Sequence, residues 1–163
     1  MTSIQQRDAQ SVLAGIDELL PNLRARAQET EDLRRIPDAS VAELEEVGFF
    51  KLVQPEQWGG LQSDPTLFFE AVRRLASACG STGWAMGILG VHNWHLAQFT
   101  QQAQEDVWSE DPAVRVSSSY APMGAGVVTD DGDGYIVNGA WRWSSGCDHA
   151  TWTFVGGPVI KDG

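Results

Sequence analysis

The chain has 163 residues, 42% of them hydrophobic, which is enough for a packed core and too apolar for wholesale disorder. Its formal net charge of −11 repels phosphate backbones and anionic lipid, so neither nucleic acid nor a membrane surface is an expected partner. No apolar run reaches the length of a membrane span, and Met1-Thr2-Ser3-Ile4-Gln5-Gln6-Arg7-Asp8 is polar with no apolar stretch behind it. Two distant cysteines, Cys79 and Cys147, then read as free thiols in a reducing cytoplasm.

The first half reads as helix. Val12, Ile16, Leu19, Leu20 and Leu23 recur at helical spacing, and Pro21 within them predicts a kink or a break. Asp38 or Ser40 is expected to cap a second helix that carries Val41, Leu44 and Val47 on one face and ends at Gly48. A turn-rich loop, Pro55-Glu56-Gln57-Trp58-Gly59-Gly60, follows. Asp64-Pro65 opens a third helix with Phe68, Ala71, Val72, Leu75 and Ala78 on its face. Gly80 is expected to close it and Ser81 to cap a fourth, from about Thr82 to Phe99. That helix is apolar nearly all round and contains Gly83, Gly87 and Gly90. Each interior glycine costs roughly 1 kcal/mol relative to alanine. Several together predict a close neighbour, either another helix or a ligand. Thr100 can cap a short helix from Gln101 to Trp108.

The period then changes. Val114, Val116, Ser118 and Tyr120 alternate with Arg115, Ser117 and Ser119, which predicts a strand. Val127-Val128 and Tyr135-Ile136-Val137 flank Asp131-Gly132-Asp133-Gly134, a hairpin signal. Trp141 and Trp143 are expected to extend the second hairpin strand, and Trp152, Phe154 and Val155 begin another. The organisation is therefore α+β: a helical domain over residues 1–111, then the beginning of an antiparallel β-domain over 112–163. A sheet left with an open edge at its last strand leads us to expect a truncated chain. Of the seven tryptophans, most are expected in the core and some against a flat aromatic ligand.

Candidate chemistry is sparse. His92 and His95 stand at i, i+3 on the fourth helix, but that helix offers no carboxylate to complete a ligand set, so no metal is expected. Ser144-Ser145-Gly146 and Ser117-Ser118-Ser119 lack the surroundings of an activated nucleophile, and serines bonding to nearby backbone explain them more simply. What remains is polar and aromatic groups at strand ends: Ser118-Ser119-Tyr120 and Trp143-Ser144-Ser145. Such hydroxyls and backbone N–H groups suit the polar edge of a fused ring such as isoalloxazine, and tryptophan supplies a flat face. An ordinary β core with polar loop residues is the competing reading.

At these residues the chain resembles the acyl-CoA dehydrogenase superfamily. The stretches that carry the resemblance are Ala121-Pro122-Met123-Gly124-Ala125-Gly126, Trp141-Arg142-Trp143-Ser144-Ser145-Gly146 and Glu56-Gln57-Trp58-Gly59-Gly60. Tyr120-Ala121 stands where the dehydrogenases carry an acidic residue and a threonine, and Trp-Ser-Ser-Gly replaces their Trp-Ile-Thr-Asn-Gly. These departures resemble the two-component flavin monooxygenases of the superfamily. Three further stretches, Ala78-Cys79-Gly80-Ser81-Thr82-Gly83-Trp84, Val91-His92-Asn93-Trp94-His95 and Ser145-Gly146-Cys147-Asp148-His149-Ala150, are similar to the oxygenase group acting on a phenolic secosteroid (3-HSA) in cholesterol catabolism.

The resemblance implies that a separate NADH-dependent reductase supplies reduced FMN or FAD. With O₂ the oxygenase then hydroxylates a phenol ortho to its hydroxyl, giving a catechol. It implies flavin contacts from Trp84, Ser118, Ser119, Tyr120, Trp143, Ser144 and Ser145, with Ser144 matching the hydroxyl residue near the ring's reactive nitrogen. It also implies a substrate contact from His92, a homotetramer, and a catalytic base in a C-terminal helical bundle beyond Gly163. The alternatives are an acyl-CoA dehydrogenase-like flavoenzyme, against which the missing Thr-Glu argues, and a non-catalytic helical and β binding module.

Overall fold

Asp8 starts the first helix. Its carboxylate accepts the Ser11 N–H at 2.8 Å, while the Ser11 hydroxyl donates back to the Asp8 carbonyl at 2.8 Å. The computed structural model describes residues 8–128 and 134–160. Helix α1 (Ala9–Ala25) buries Val12, Leu13, Ile16 and Leu23. The break expected at Pro21 comes instead at Arg26, where a separate helix α2 (Ala27–Leu33) begins. Pro21 lies on the exposed face, and burial of Leu23 beyond it holds the helix in line despite the lost backbone hydrogen bond.

Helix α3 (Asp38–Val47) follows Pro37 and has no side-chain cap. The expected caps have other partners: Asp38 takes Arg35 at 2.6 Å, and Ser40 faces Arg26 at 3.3 Å. Gly48 ends α3 in the left-handed conformation, as its position predicted. Asp64 caps α4 (Pro65–Ala78) by accepting the Thr66 N–H at 2.8 Å. The junction with α5 (Gly80–Leu96) is Cys79, not Gly80-Ser81. Extended backbone at Cys79 (φ −149) ends one helix and begins the next, so no left-handed glycine is needed.

The glycines of α5 have a structural explanation. A Cβ at Gly83 would lie 2.6 Å from the Ala76 Cα, and one at Gly90 would lie 2.7 Å from Phe68. The close neighbour is therefore helix α4 and the Phe49–Phe68 pair. Helix α6 (Gln101–Trp108), capped by Thr100, closes a second small core of Leu96, Val107, Trp108 and Val116.

The strands are β1 (Val116–Ser119), β2 (Gly124–Val128), β3 (Tyr135–Gly139), β4 (Trp152–Val155) and β5 (Val159–Ile160). They form a β1–β4 pair and a β3–β2–β5 sheet. The expected antiparallel pairing holds for β2 and β3, whose tip residues Asp131, Gly132 and Asp133 lie outside the described residues. The β1–β4 and β2–β5 ladders are parallel, which corrects the strand pairing while the helical-then-sheet class stands. More than a dozen residues separate each parallel pair, long enough for the crossover that parallel strands need.

Two further expectations are corrected. Strand β3 stops at Gly139, so Trp141 and Trp143 lie in irregular chain. The tryptophans are mostly outside the core: only Trp108 is buried, whereas Trp84, Trp94, Trp143 and Trp152 are exposed. Trp58 and Trp141 are intermediate.

Candidate functional site

Strand β1 carries the site. It is buried along its whole length, because α5 lies on one side and the segment from Trp141 to Val155 on the other. Alternation sends Ser117 and Ser119 one way and Ser118 the other. Ser119 donates to the Arg142 carbonyl at 2.5 Å, and Ser117 to the Trp152 carbonyl at 3.4 Å. Trp141 donates its indole N–H to the Gly156 carbonyl at 2.7 Å. Ser117, Ser119, Trp141, Ser144, Cys147 and Trp152 line a groove of about 460 Å³. Ser144 is one of these lining residues, and its hydroxyl is buried without a hydrogen-bond partner. A buried hydroxyl left unpaired costs about 1–3 kcal/mol, so an orphan on a groove-lining residue points to a ligand contact.

The loop that carries Ser144 has an unusual backbone. Trp143 adopts φ +66 and Gly146 φ +81. A Cβ at Gly146 would meet Leu89 of α5 at 2.8 Å, so glycine serves here for both conformation and approach. Successive loop residues face different spaces. Ser144 and Cys147 line the groove. Ser145, Gly146, Asp148 and His149 line a cavity of about 510 Å³, bounded also by Trp84, Arg34 and Arg35. The Trp84 indole donates to Ser145 Oγ at 3.0 Å across that cavity.

An aromatic cluster forms a third feature, where α5 meets the end of β1. His92 is buried, and its Nδ1 lies 2.7 Å from the Val116 carbonyl. His95 Nδ1 lies 2.6 Å from the Tyr120 hydroxyl. Phe99 and Phe154 stack with ring centroids 5.1 Å apart, and both histidines meet Phe154 edge-on. Burial pushes the His92 pKa below the usual imidazole value, only partly opposed by the Val116 carbonyl, with His95 adding to the lowering. Burial also raises the Tyr120 phenol, against a Ser118 hydrogen bond that lowers it.

The residues singled out from sequence thus fall into separate places. Ser119 and Ser144 share the groove, and Trp84 and Ser145 share the cavity. Ser118, Tyr120 and His92 meet in the aromatic cluster. Trp143 points into solvent, 91% exposed, and lines neither space. Sequence reasoning weighed Ser117 as a nucleophile and His95 as a metal ligand and set both aside, and it did not single out Trp141, Cys147 or Trp152 as site residues. The phase of β1 could have found Ser117, which shares parity with Ser119. Trp141 and Cys147 stand in the stretches that carry the resemblance, but their approach to the groove depends on the irregular loop.

Residues 10–113 match the family model described as acyl-CoA dehydrogenase, N-terminal domain. The chain belongs to the acyl-CoA dehydrogenase family. Over 163 residues, all of the chain, it is 76% identical to the flavin-dependent monooxygenase, oxygenase subunit HsaA, of Mycobacterium tuberculosis, and spans 41% of that protein. A crystal structure of that monooxygenase superposes with a TM-score of 0.93 at 74% identity, covering 96% of this chain and 42% of the other. The oxygenase component of p-hydroxyphenylacetate 3-hydroxylase from Acinetobacter baumannii is 40% identical over 146 residues, which is 90% of this chain and 34% of that one. The chain therefore spans less than half the length of these relatives.

Proposed function

We propose that this chain supplies the helical and first β portions of the oxygenase component of a two-component flavin monooxygenase. The whole protein hydroxylates a phenol, most specifically a phenolic secosteroid, ortho to its hydroxyl, giving a catechol. The proposal draws on the names of the relatives, each an oxygenase subunit or component. Such a component implies a separate reductase that uses NADH and hands over reduced FMN or FAD. A homotetramer in the cytoplasm, acting in cholesterol catabolism, belongs to the same proposal.

The observation that carries the reading is the orphaned Ser144 hydroxyl in a groove walled by Ser117, Ser119 and Trp141. This donor set fits a flavin, whose ring offers a polar edge to hydroxyls and a flat face to indole. Ser144 and Ser119 would hold the polar edge. Contacts from Ser145 and Trp84 in the adjoining cavity, from Ser118 and Tyr120 in the aromatic cluster and from exposed Trp143 rest on the family resemblance alone, since none of them lines the groove. When bound, reduced flavin supplies the two electrons that let O₂ deliver one oxygen atom to the phenol ring.

The chain's own residues would orient the partners and handle protons. A carbonyl oxygen only accepts, so His92 Nδ1 carries the proton in its bond to Val116, and Nε2 is left as the basic nitrogen. A neutral His92 can then accept a hydrogen bond from a phenol O–H, which aligns the ring. The lowered His92 pKa keeps it neutral at pH 7. Phe154 and Tyr120, whose rings meet it edge-on, help exclude water from that contact.

The test uses the full-length protein with chemically reduced FMN, O₂ and a 3-hydroxy-secosteroid phenol. Catechol formed in proportion to reduced flavin consumed is the expected result. Hydrogen peroxide alone, together with bleaching of bound oxidised flavin by an acyl-CoA, would replace this reading with a dehydrogenase.

A further inference from the structure

The loop from Trp141 to Ala150 is tethered to the helical part by groups that the flavin reading leaves unused. The His149 side chain is 6% exposed, with Nδ1 3.6 Å from the Asp38 carboxylate of α3. Its Nε2 lies 2.8 Å from the Ile36 carbonyl in the α2–α3 connection. A carbonyl cannot donate, so Nε2 carries a proton and the tether is an N–H···O bond. Arg115, one residue before β1, holds the same residue by its main chain: its Nε donates to the His149 carbonyl at 2.8 Å. The other end of that guanidinium meets Glu45 at 3.0 Å, and its carbon lies 5.5 Å from the centre of the Phe50 ring.

His149 is thus gripped by side chain and main chain at once, from α3 and the connection before it and from the head of β1. Two short backbone bonds transmit that grip to the serine pair. Cys147 N–H donates to the Ser144 carbonyl at 3.1 Å, and His149 N–H to the Gly146 carbonyl at 2.9 Å. The same loop contains Trp143 in a left-handed conformation that costs a non-glycine residue free energy. Such a conformation persists where the surroundings over-determine it.

We propose that His149, backed by Arg115, is a positioning residue that sets the Ser144–Ser145 hydroxyl pair against the helical part, and so sets the seat of the bound flavin. The inference rests on the reading of the groove as a flavin site. Neither side chain lines the groove, and His149 borders the adjoining cavity, so both act on the groove through the loop.

The experiment compares His149→Ala and His149→Gln in the full-length protein. A glutamine amide N–H can still reach the Ile36 carbonyl. Two readouts are taken: hydrogen exchange across residues 143–150 without flavin, and the Kd for reduced FMN. We expect His149→Ala to speed exchange in that segment alone and to raise Kd about tenfold, the size of one lost buried hydrogen bond. His149→Gln should restore both. Wild-type exchange and Kd in His149→Ala would overturn the proposal. Equal losses in both variants, spread through the helices, would overturn it too, because they would make His149 a packing residue. Should His149→Ala not fold, Arg115→Gln gives the same two readouts. A wild-type protein that binds no reduced FMN would refute the flavin reading, while local exchange would still decide whether His149 holds the loop.

Discussion

Ser144 and His92 show how a single side chain can serve a site at some expense to stability. The Ser144 hydroxyl is buried and unpaired, so removing it should help the fold and harm binding. We expect Ser144→Ala to leave the melting temperature unchanged or raise stability by up to about 1 kcal/mol, while reduced-FMN affinity falls about tenfold. A fall in both would show that the hydroxyl has a partner within the protein. His92 has a folded pKa below that of the unfolded chain. The unfolded state therefore binds more protons in the window below about pH 6.5, and stability is full above it. As pH falls through that window towards the folded value, this contribution is lost. Melting temperatures measured from neutral pH downward should fall more steeply for the wild type than for His92→Gln. Parallel curves would mean that the ring titrates normally.

At the scale of elements, the α4–α5 packing is the most sharply determined contact. Gly83 brings the α5 backbone against Ala76 of α4 so closely that a Cβ would stand 2.6 Å from backbone atoms. Alanine would gain about 1 kcal/mol of helix propensity at that position. Overpacking against backbone costs typically 1–3 kcal/mol or more, and it should win. We expect Gly83→Ala to destabilise the full-length protein by about 2 kcal/mol in denaturant melts. At Gly80, where a Cβ meets nothing within 4 Å, alanine should be neutral or mildly stabilising. The glycines were visible in the sequence as a cost that needed a reason. Phe68 and Ala76 as that reason were not, because the pairing of helices follows from three-dimensional packing. Caps behaved unevenly for the same cause. Asp64 and Thr100 act as their spacing foretold. Asp38 and Ser40 were drawn off by Arg35 and Arg26, which approach through tertiary structure.

Across the whole molecule, charge sets how the fold meets acid. Glu70 bonds to Arg73 and Arg74, which together hold its carboxyl at about 2. Glu43 is lowered by the Arg26 fork. Both folded values lie below the unfolded ones, so the stabilisation is present above the ordinary glutamate range and is lost as pH falls through the folded values. The Glu70 network is partly open to solvent, with Arg73 exposed and Glu70 and Arg74 half-buried, so its share should be small and screened by salt. We expect Glu70→Gln to flatten the acid limb of a stability-versus-pH curve, and the difference to shrink in about 1 M salt, where the Debye length is roughly 3 Å. An unchanged acid limb would assign acid sensitivity to Glu43 and the other carboxylates.

The order of helices before strands, the start of α4, both ends of α6, and the family were all set by local pattern and motif. Periodicity, capping chemistry and short strings such as Trp143-Ser144-Ser145-Gly146 are properties of neighbouring residues. What only the tertiary structure decided is which side of the β1–loop assembly each candidate faces. Ser144 and Ser145 are adjacent in sequence, yet one lines the groove with Ser119 and the other the cavity with Trp84. Trp143, between strand and loop, turns to solvent. The physical reason is the left-handed backbone at Trp143 and Gly146, which resets the side-chain direction, held by contacts from Leu89, Ile36 and Arg115 that lie far away in the chain.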